Sequence, residues 1–158
     1  INPVLPTGKQ TRQNSKDIEA SIQLYKGAIA AAEDAHAVFI EVPVGSQSAR
    51  AMCGYGVCVG VLGALRANAI PCFEVTPTEV KIAGAGSKTA TKQEMIKWAM
   101  AAHPEANWPT YKEHGESVVS AAKAEHMADA VAAIHAGIAC NSFQQMLPFM
   151  VANSERNV

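Results

Sequence analysis

Two groups of residues in this sequence have types and spacing suited to chemistry. Glu41 sits near the end of the apolar run Ala37-Val38-Phe39-Ile40-Glu41-Val42, just ahead of Pro43 and Gly45. A carboxylate ending a run this apolar is costly unless something binds it. His126 and Asp129 lie three apart in the Ala-rich stretch His126-Met127-Ala128-Asp129-Ala130. On a helix they project from one face as neighbours. An imidazole and a carboxylate so placed can share a divalent metal with a third ligand, for which a strand-end glutamate is a natural candidate. Paired hard cations hydrolyse phosphodiesters by orienting water, stabilising the pentacovalent charge and assisting the leaving oxygen. On spacing alone, a solvated helix face and a glutamate paired with a lysine explain the same residues.

The elements that must position these residues follow from periodicity. Asn14-Ser15 reads as a helix start, and Ile18, Ile22, Tyr25 and Ile29 continue at helical spacing to about Asp34. Residues 37–42 read as a strand buried on both faces. Residues 46–68, rich in Ala, Gly and Val, predict a helix whose Gly54, Gly56, Gly60 and Gly63 allow close packing on a sheet or a second subunit. A second strand is expected at 70–75, a short helix or turn at 79–82, and a flexible loop at 84–87. Thr91 begins a helix with Met95, Ile96, Ala99 and Met100 on its apolar side. A polar stretch from His103 to Gly115 then leads to a last helical region at about 116–139. Its expected buried positions are Val118, Val119, Ala122, Met127, Ala130, Val131 and Ile134. Alternation of helices and strands implies a layered α/β domain.

Composition limits the function classes. The chain has 158 residues, 49% hydrophobic and 17% charged, enough for one domain with a real core spanning 1–158. No apolar run approaches the roughly 20 residues of a membrane span, and the start lacks a signal-peptide pattern. Cys53, Cys58, Cys72 and Cys140 form no CxxC pair, and the simplest expectation is reduced, buried thiols in a cytoplasmic protein. The formal net charge is −1, so bulk charge does not announce nucleic acid. Two local basic clusters exist, one of Lys9, Arg12 and Lys16, the other of Lys81, Lys88, Lys92 and Lys97. GYGVCVG loosely resembles a dinucleotide loop, but its spacing is GxGxxxG and no strand precedes it. A nucleotide-binding α/β domain is therefore the weakest reading.

The order of the pieces is more specific than any one of them. A helix leads into FIEVPVGSQSARA, then a small-residue helix, IPCFEVTPTEVKIAGAGSKTATKQEM and EHMADAVAAIHAGI. From about residue 10 to residue 138 this resembles the RuvC family of Holliday-junction resolvases. That resemblance implies a ribonuclease H-like three-layer fold, a mixed sheet flanked by helices. In that family a catalytic carboxylate ends a strand, matching Glu41. Residues 77–81, 84–86 and 92–95 match a middle segment with a Gly-x-Gly turn, and His126, Asp129 and Ala130 match the last motif. The match begins after the family's first strands, whose aspartate is expected from an upstream segment. The resemblance implies a homodimeric endonuclease of bacterial or phage recombination that cuts four-way or other branched DNA. Glu41, His126 and Asp129 would hold Mg2+ or Mn2+, and Lys81, Lys88 and Lys92 would contact DNA. It also implies an alternative, a non-catalytic dimeric protein of the same fold that binds DNA structure. The family's wedge aromatic is replaced here in the region of Val44 and Gln47. Trp108 and Tyr111 fall in a segment longer than the family's, as an anchor, a lid or local packing.

Overall fold

Short polar side chains set where three of the helices begin. The Ser48 hydroxyl accepts from the Ala51 N–H to start α2 (Ala49–Ala67). Thr76 and Glu79 form a reciprocal capping box at α3 (Pro77–Ala85), and Thr91 and Glu94 repeat it at α4 (Lys92–Ala102). Each box satisfies helix N–H groups that have no partner within the helix. The computed structural model describes residues 3–8, 12–42, 45 and 48–156. Lys9, Val44 and Gln47 lie outside the described residues. The remaining elements are α1 (Gln13–Ala32), β1 (Val38–Glu41), β2 (Cys72–Val75), β3 (Thr110–Glu113), β4 (Glu116–Val119), α5 (Ala121–Ala139) and α6 (Asn141–Arg156). The architecture is mixed α/β, with two two-stranded sheets among the described residues. The β1–β2 pair is parallel, its register climbing from Val38 N–H on the Pro71 carbonyl (2.8 Å) to Val42 N–H on the Val75 carbonyl (2.9 Å).

The chain divides into two compact units, Ile1–Val38 with Pro43–Cys72, and Phe39–Val42 with Phe73–Val158. In the first, α1 packs on α2, and Arg50 grips Asp17 with both guanidinium nitrogens. That ion pair holds the Asp17 carboxyl down at about 2. α2 ends in a Schellman motif, with Ile70 N–H on the Leu65 carbonyl and Ala69 N–H on the Arg66 carbonyl. Ala69 occupies the left-handed position usually taken by glycine, with φ at 59°. Gly54, Gly56, Gly60 and Gly63 all lie within α2, and a Cβ at any of them would meet nothing within 4 Å. The expected close packing at these glycines therefore does not occur within the described residues.

The second unit is built on α5, which packs on α3 and α4. Its buried residues are Ala124, Ala128, Ala132, Ala133, Ala136 and Gly137. This corrects the expected face. Ala122 and Ala130 are exposed, Met127 and Val131 half-buried, and Ile134 is 47% exposed. Alanine at every fourth position brings helix backbones close, and that approach selects the small side chains over the bulky ones. Val75, Val80, Ala90, Met95, Ile96 and Ala99 complete the core. Phe39, Phe73 and Phe143 form a second cluster with ring centroids 5.0–5.7 Å apart, tying β1, β2 and α6 together. The Phe39 ring lies where a Cβ on Gly137 would stand.

Three further expectations change. Residues 116–119 form β4 and not the start of a helix. They pair antiparallel with β3 through a two-residue turn, His114-Gly115, with both φ angles positive. Gly84 and Ala85 belong to α3, which ends at Gly86 in the left-handed conformation, so the expected loop at 84–87 is shorter. All four cysteines are free, but only Cys72 is buried, and Cys53 and Cys58 are exposed.

Two substitutions test this account by thermal melting. Ala69→Gly should stabilise by about 0.5–1 kcal/mol, because it relieves a left-handed alanine at a position made for glycine. Gly137→Ala should destabilise by about 1–3 kcal/mol, because the new methyl displaces the Phe39 ring.

Candidate metal and phosphate site

Phe39 and Glu41 are two residues apart on β1, so their side chains share a face of the strand. With Phe39 seated on Gly137, Glu41 is carried toward the N-terminal half of α5, where Glu125 and Asp129 stand one turn apart. α3 contributes Pro77, Val80 and Lys81, and the capping box of α4 places Lys92 at that helix's first position. These residues, with Ala90 and Met95, line one cavity of about 160 Å3. Its size suits a hydrated cation or a phosphate group and falls below the roughly 300 Å3 at which small-molecule pockets begin.

The charges are mixed and crowded. Lys92 Nζ lies 2.6 Å from Glu125 Oε1, and this contact raises the proton affinity of the lysine. Partial burial pushes the Asp129 carboxyl above its ordinary value and the Glu125 carboxylate adds to the rise, while His126, Lys92 and Lys81 oppose it. Glu41 is also raised, first by partial desolvation at the cavity and then by Asp129, with Lys81 opposing. Two carboxyls held against their preference to ionise are an arrangement that a cation would relieve.

The structure thus brings together Glu41, Asp129, Lys81 and Lys92 of the residues singled out in the sequence. It does not bring in His126, which is exposed and lines no part of the cavity. Helix geometry gives the reason. With Ala128 facing the core, Glu125 and Asp129 are rotated from it by about 60° and 100°, and His126 by about 160°, nearly to the opposite side. Among the described residues, no three His, Cys, Asp or Glu side chains form a ready metal cluster. Lys88 is exposed in the turn between α3 and α4 and does not line the cavity either. Glu125 is the residue missed in the sequence. Its signal was the i, i+4 relation to Asp129, a tighter alignment on a helix face than the i, i+3 relation of His126.

Other expectations resolve locally. Trp108 Nε1 donates to the His103 carbonyl at 2.9 Å and packs on the core, while Tyr111 donates to Glu113 on the exposed β3. Asp17 is committed to Arg50 in the other unit. The stretch 54–63 is helical throughout, so it forms no glycine loop that could present backbone N–H groups to a phosphate. No helix among the described residues is long and apolar enough to cross a membrane.

No family model matches the chain, and no curated protein matches it either.

The raised carboxyls make a signed prediction. A carboxyl with a folded value above its unfolded value contributes most at low pH, and that contribution is lost as pH rises through the interval between them. Glu41→Gln and Asp129→Asn should therefore each melt higher than the native chain at pH 7, by about 1–3 °C. The difference should close below about pH 4, where the native carboxyls are protonated. Melting curves at the two pH values check this, and a lower melting point for both variants at pH 7 would show the carboxyls to be net stabilising.

Proposed function

We propose that the chain is a divalent-metal-dependent endonuclease acting on four-way or otherwise branched DNA, of the RuvC-like type with a ribonuclease H-like domain. The convergence of Glu41, Asp129, Lys81 and Lys92 on one small cavity is the observation that carries the proposal. These four residues come from three separate motifs of the resemblance, and sequence distance alone gives them no reason to meet. The parallel β1–β2 pair, with Glu41 at the end of β1, also accords with that fold.

The donor set fits a hard cation. Magnesium is commonly held by one or two carboxylates, with water and substrate phosphate supplying the remaining oxygens. Glu41 and Asp129 would hold Mg2+ or Mn2+, with Glu125 beside them, and His126 would stand outside that set. Bound there, such an ion supplies Lewis-acid polarisation of a phosphate and a more acidic water. Lys81 and Lys92 neutralise phosphate charge at the cavity mouth, and the Lys92–Glu125 pair gives Lys92 a partner when DNA is absent. A carboxylate of raised proton affinity is also a better proton acceptor at neutral pH than an ordinary one.

The partners follow from the same reading. DNA junctions are two-fold objects, and a homodimer presents two cavities to two strands. The uncovered glycines of α2, with Met52 and Val59 exposed on the same helix, support a second copy there. Free thiols accord with the cytoplasm of a bacterium or a phage-infected cell. The two-carboxylate set also supports a second reading, a dimeric protein that binds DNA structure without cutting.

A labelled four-way junction, compared with linear duplex, separates the readings. Paired, magnesium-dependent nicks in the junction are expected, and Glu41→Gln or Asp129→Asn should slow them about 100-fold, some 2.7 kcal/mol of barrier. His126→Ala should leave cleavage nearly unchanged. Lys81→Ala and Lys92→Ala should each weaken binding and lower the salt slope by about 0.9. Tight junction binding without cuts in either metal would favour the non-catalytic reading, and equal affinity for linear duplex would remove both.

A further inference from the structure

A second cluster of chemistry-bearing groups lies where α4 ends against α5. His103 is the residue that closes α4, and its backbone is fixed at both ends. Its N–H donates to the Ala99 carbonyl at 2.9 Å, and its carbonyl accepts from the Trp108 indole at 2.9 Å. Its ring Nδ1 faces Glu105 Oε1 at 3.3 Å, and its Nε2 lies 3.1 Å from Nε2 of His135 on α5. The edge of Trp98 supports the His135 ring, with centroids 5.2 Å apart. Neither histidine lines the carboxylate cavity.

An ionised carboxylate only accepts, so the contact with Glu105 places the hydrogen of His103 on Nδ1 and leaves a lone pair on its Nε2. That lone pair faces the corresponding atom of His135. Two imidazole nitrogens this close need something between them, either a shared proton or a cation. With metal–nitrogen bonds of about 2.05 Å, a 3.1 Å separation subtends about 98° at the metal, between the octahedral and tetrahedral angles. A carboxylate on the far nitrogen is the usual outer support of a metal-binding histidine. The carbonyl end of α4 adds negative potential at the same place.

We propose that His103 and His135 bind one transition-metal dication of the zinc or nickel class, with Glu105 orienting His103 and water completing the coordination. Two nitrogen donors select a borderline-soft ion and discriminate against magnesium, which prefers oxygen. The site joins the end of α4 to the exposed side of α5, so occupancy stabilises the second unit by mass action.

Zn2+ titration of the metal-stripped full chain by calorimetry, with thermal melting alongside, tests this. One Zn2+ per chain is expected at this pair, with a rise in melting temperature that Mg2+ does not reproduce once Glu41→Gln and Asp129→Asn have disabled the carboxylate cavity. His135→Ala alters an exposed side chain and should remove that binding step and that rise, while Glu105→Gln should weaken binding about tenfold. Glu41→Gln with Asp129→Asn should leave the Zn2+ response intact, separating this pair from the carboxylate cavity. Substoichiometric Ni2+ should broaden the ring resonances of His103 and His135 ahead of those of His36, His114 and His126. Absence of any response up to about 1 mM Zn2+, or a response retained in full by His135→Ala, overturns the proposal.

Discussion

The seating of the Phe39 ring on Gly137 governs the geometry of the second unit. A strand can lie this close to a helix only where the helix offers no side chain, and Gly137 is that opening on α5. Once Phe39 is in place, the two-residue repeat of the strand determines the direction of Glu41, and the turns of α5 determine how far Asp129 stands from the contact. Phe73 and Phe143 close around the same ring and hold β2 and α6 to it. The charges of the cavity are therefore arranged by an apolar contact two strand residues and two helix turns away.

The cavity shows the opposite economy. Several other acids of the described chain are placed where they help folding. Glu79 and Glu94 cap helices and are lowered by the backbone N–H groups they accept, and Asp17 is gripped by Arg50. Glu41 and Asp129 are the carboxyls raised above their ordinary values. Placing Glu41 and Asp129 at one cavity disfavours their ionised forms there. Such local cost is the usual physical mark of a site kept for binding or chemistry.

What could be read from the sequence was what local chemistry decides. The start of α4 at Thr91 was legible because Thr91 and Glu94 carry the whole capping signal. Although half-buried with Glu41 exposed, and not buried on both faces as expected, the strand ending at Glu41 was legible because its run is apolar. The face of α5 was not, since alanine is compatible with either side of a helix, and only contact with α3 and α4 picks out Ala124, Ala128, Ala132 and Ala136. The β3–β4 hairpin was hidden because β3 is exposed along its length and gives no alternation, although His114-Gly115 marks its turn. α6 was missed with Pro148 interrupting its pattern. Of the residues lining the cavity, Glu41, Lys81, Lys92 and Asp129 carry a motif signal in the sequence. Glu125 carries none, because a one-residue shift on a helix turns a side chain by about 100° and motif matching carries no angle.

Sequence separation also sets an order of assembly. α3 and α4 are neighbours that start with capping boxes, and α5 reaches them after only the β3–β4 hairpin, so these contacts are nearer in sequence than those of β1. The segment Phe39–Val42 comes from far upstream, with all of α2 between it and the elements it joins. Its attachment closes the longest loop of this unit and depends on a single helix opening. Contact order therefore places the attachment of Glu41 after the helix contacts of this unit. Activity and helix content should part company early, in a species with intact helices and half a site.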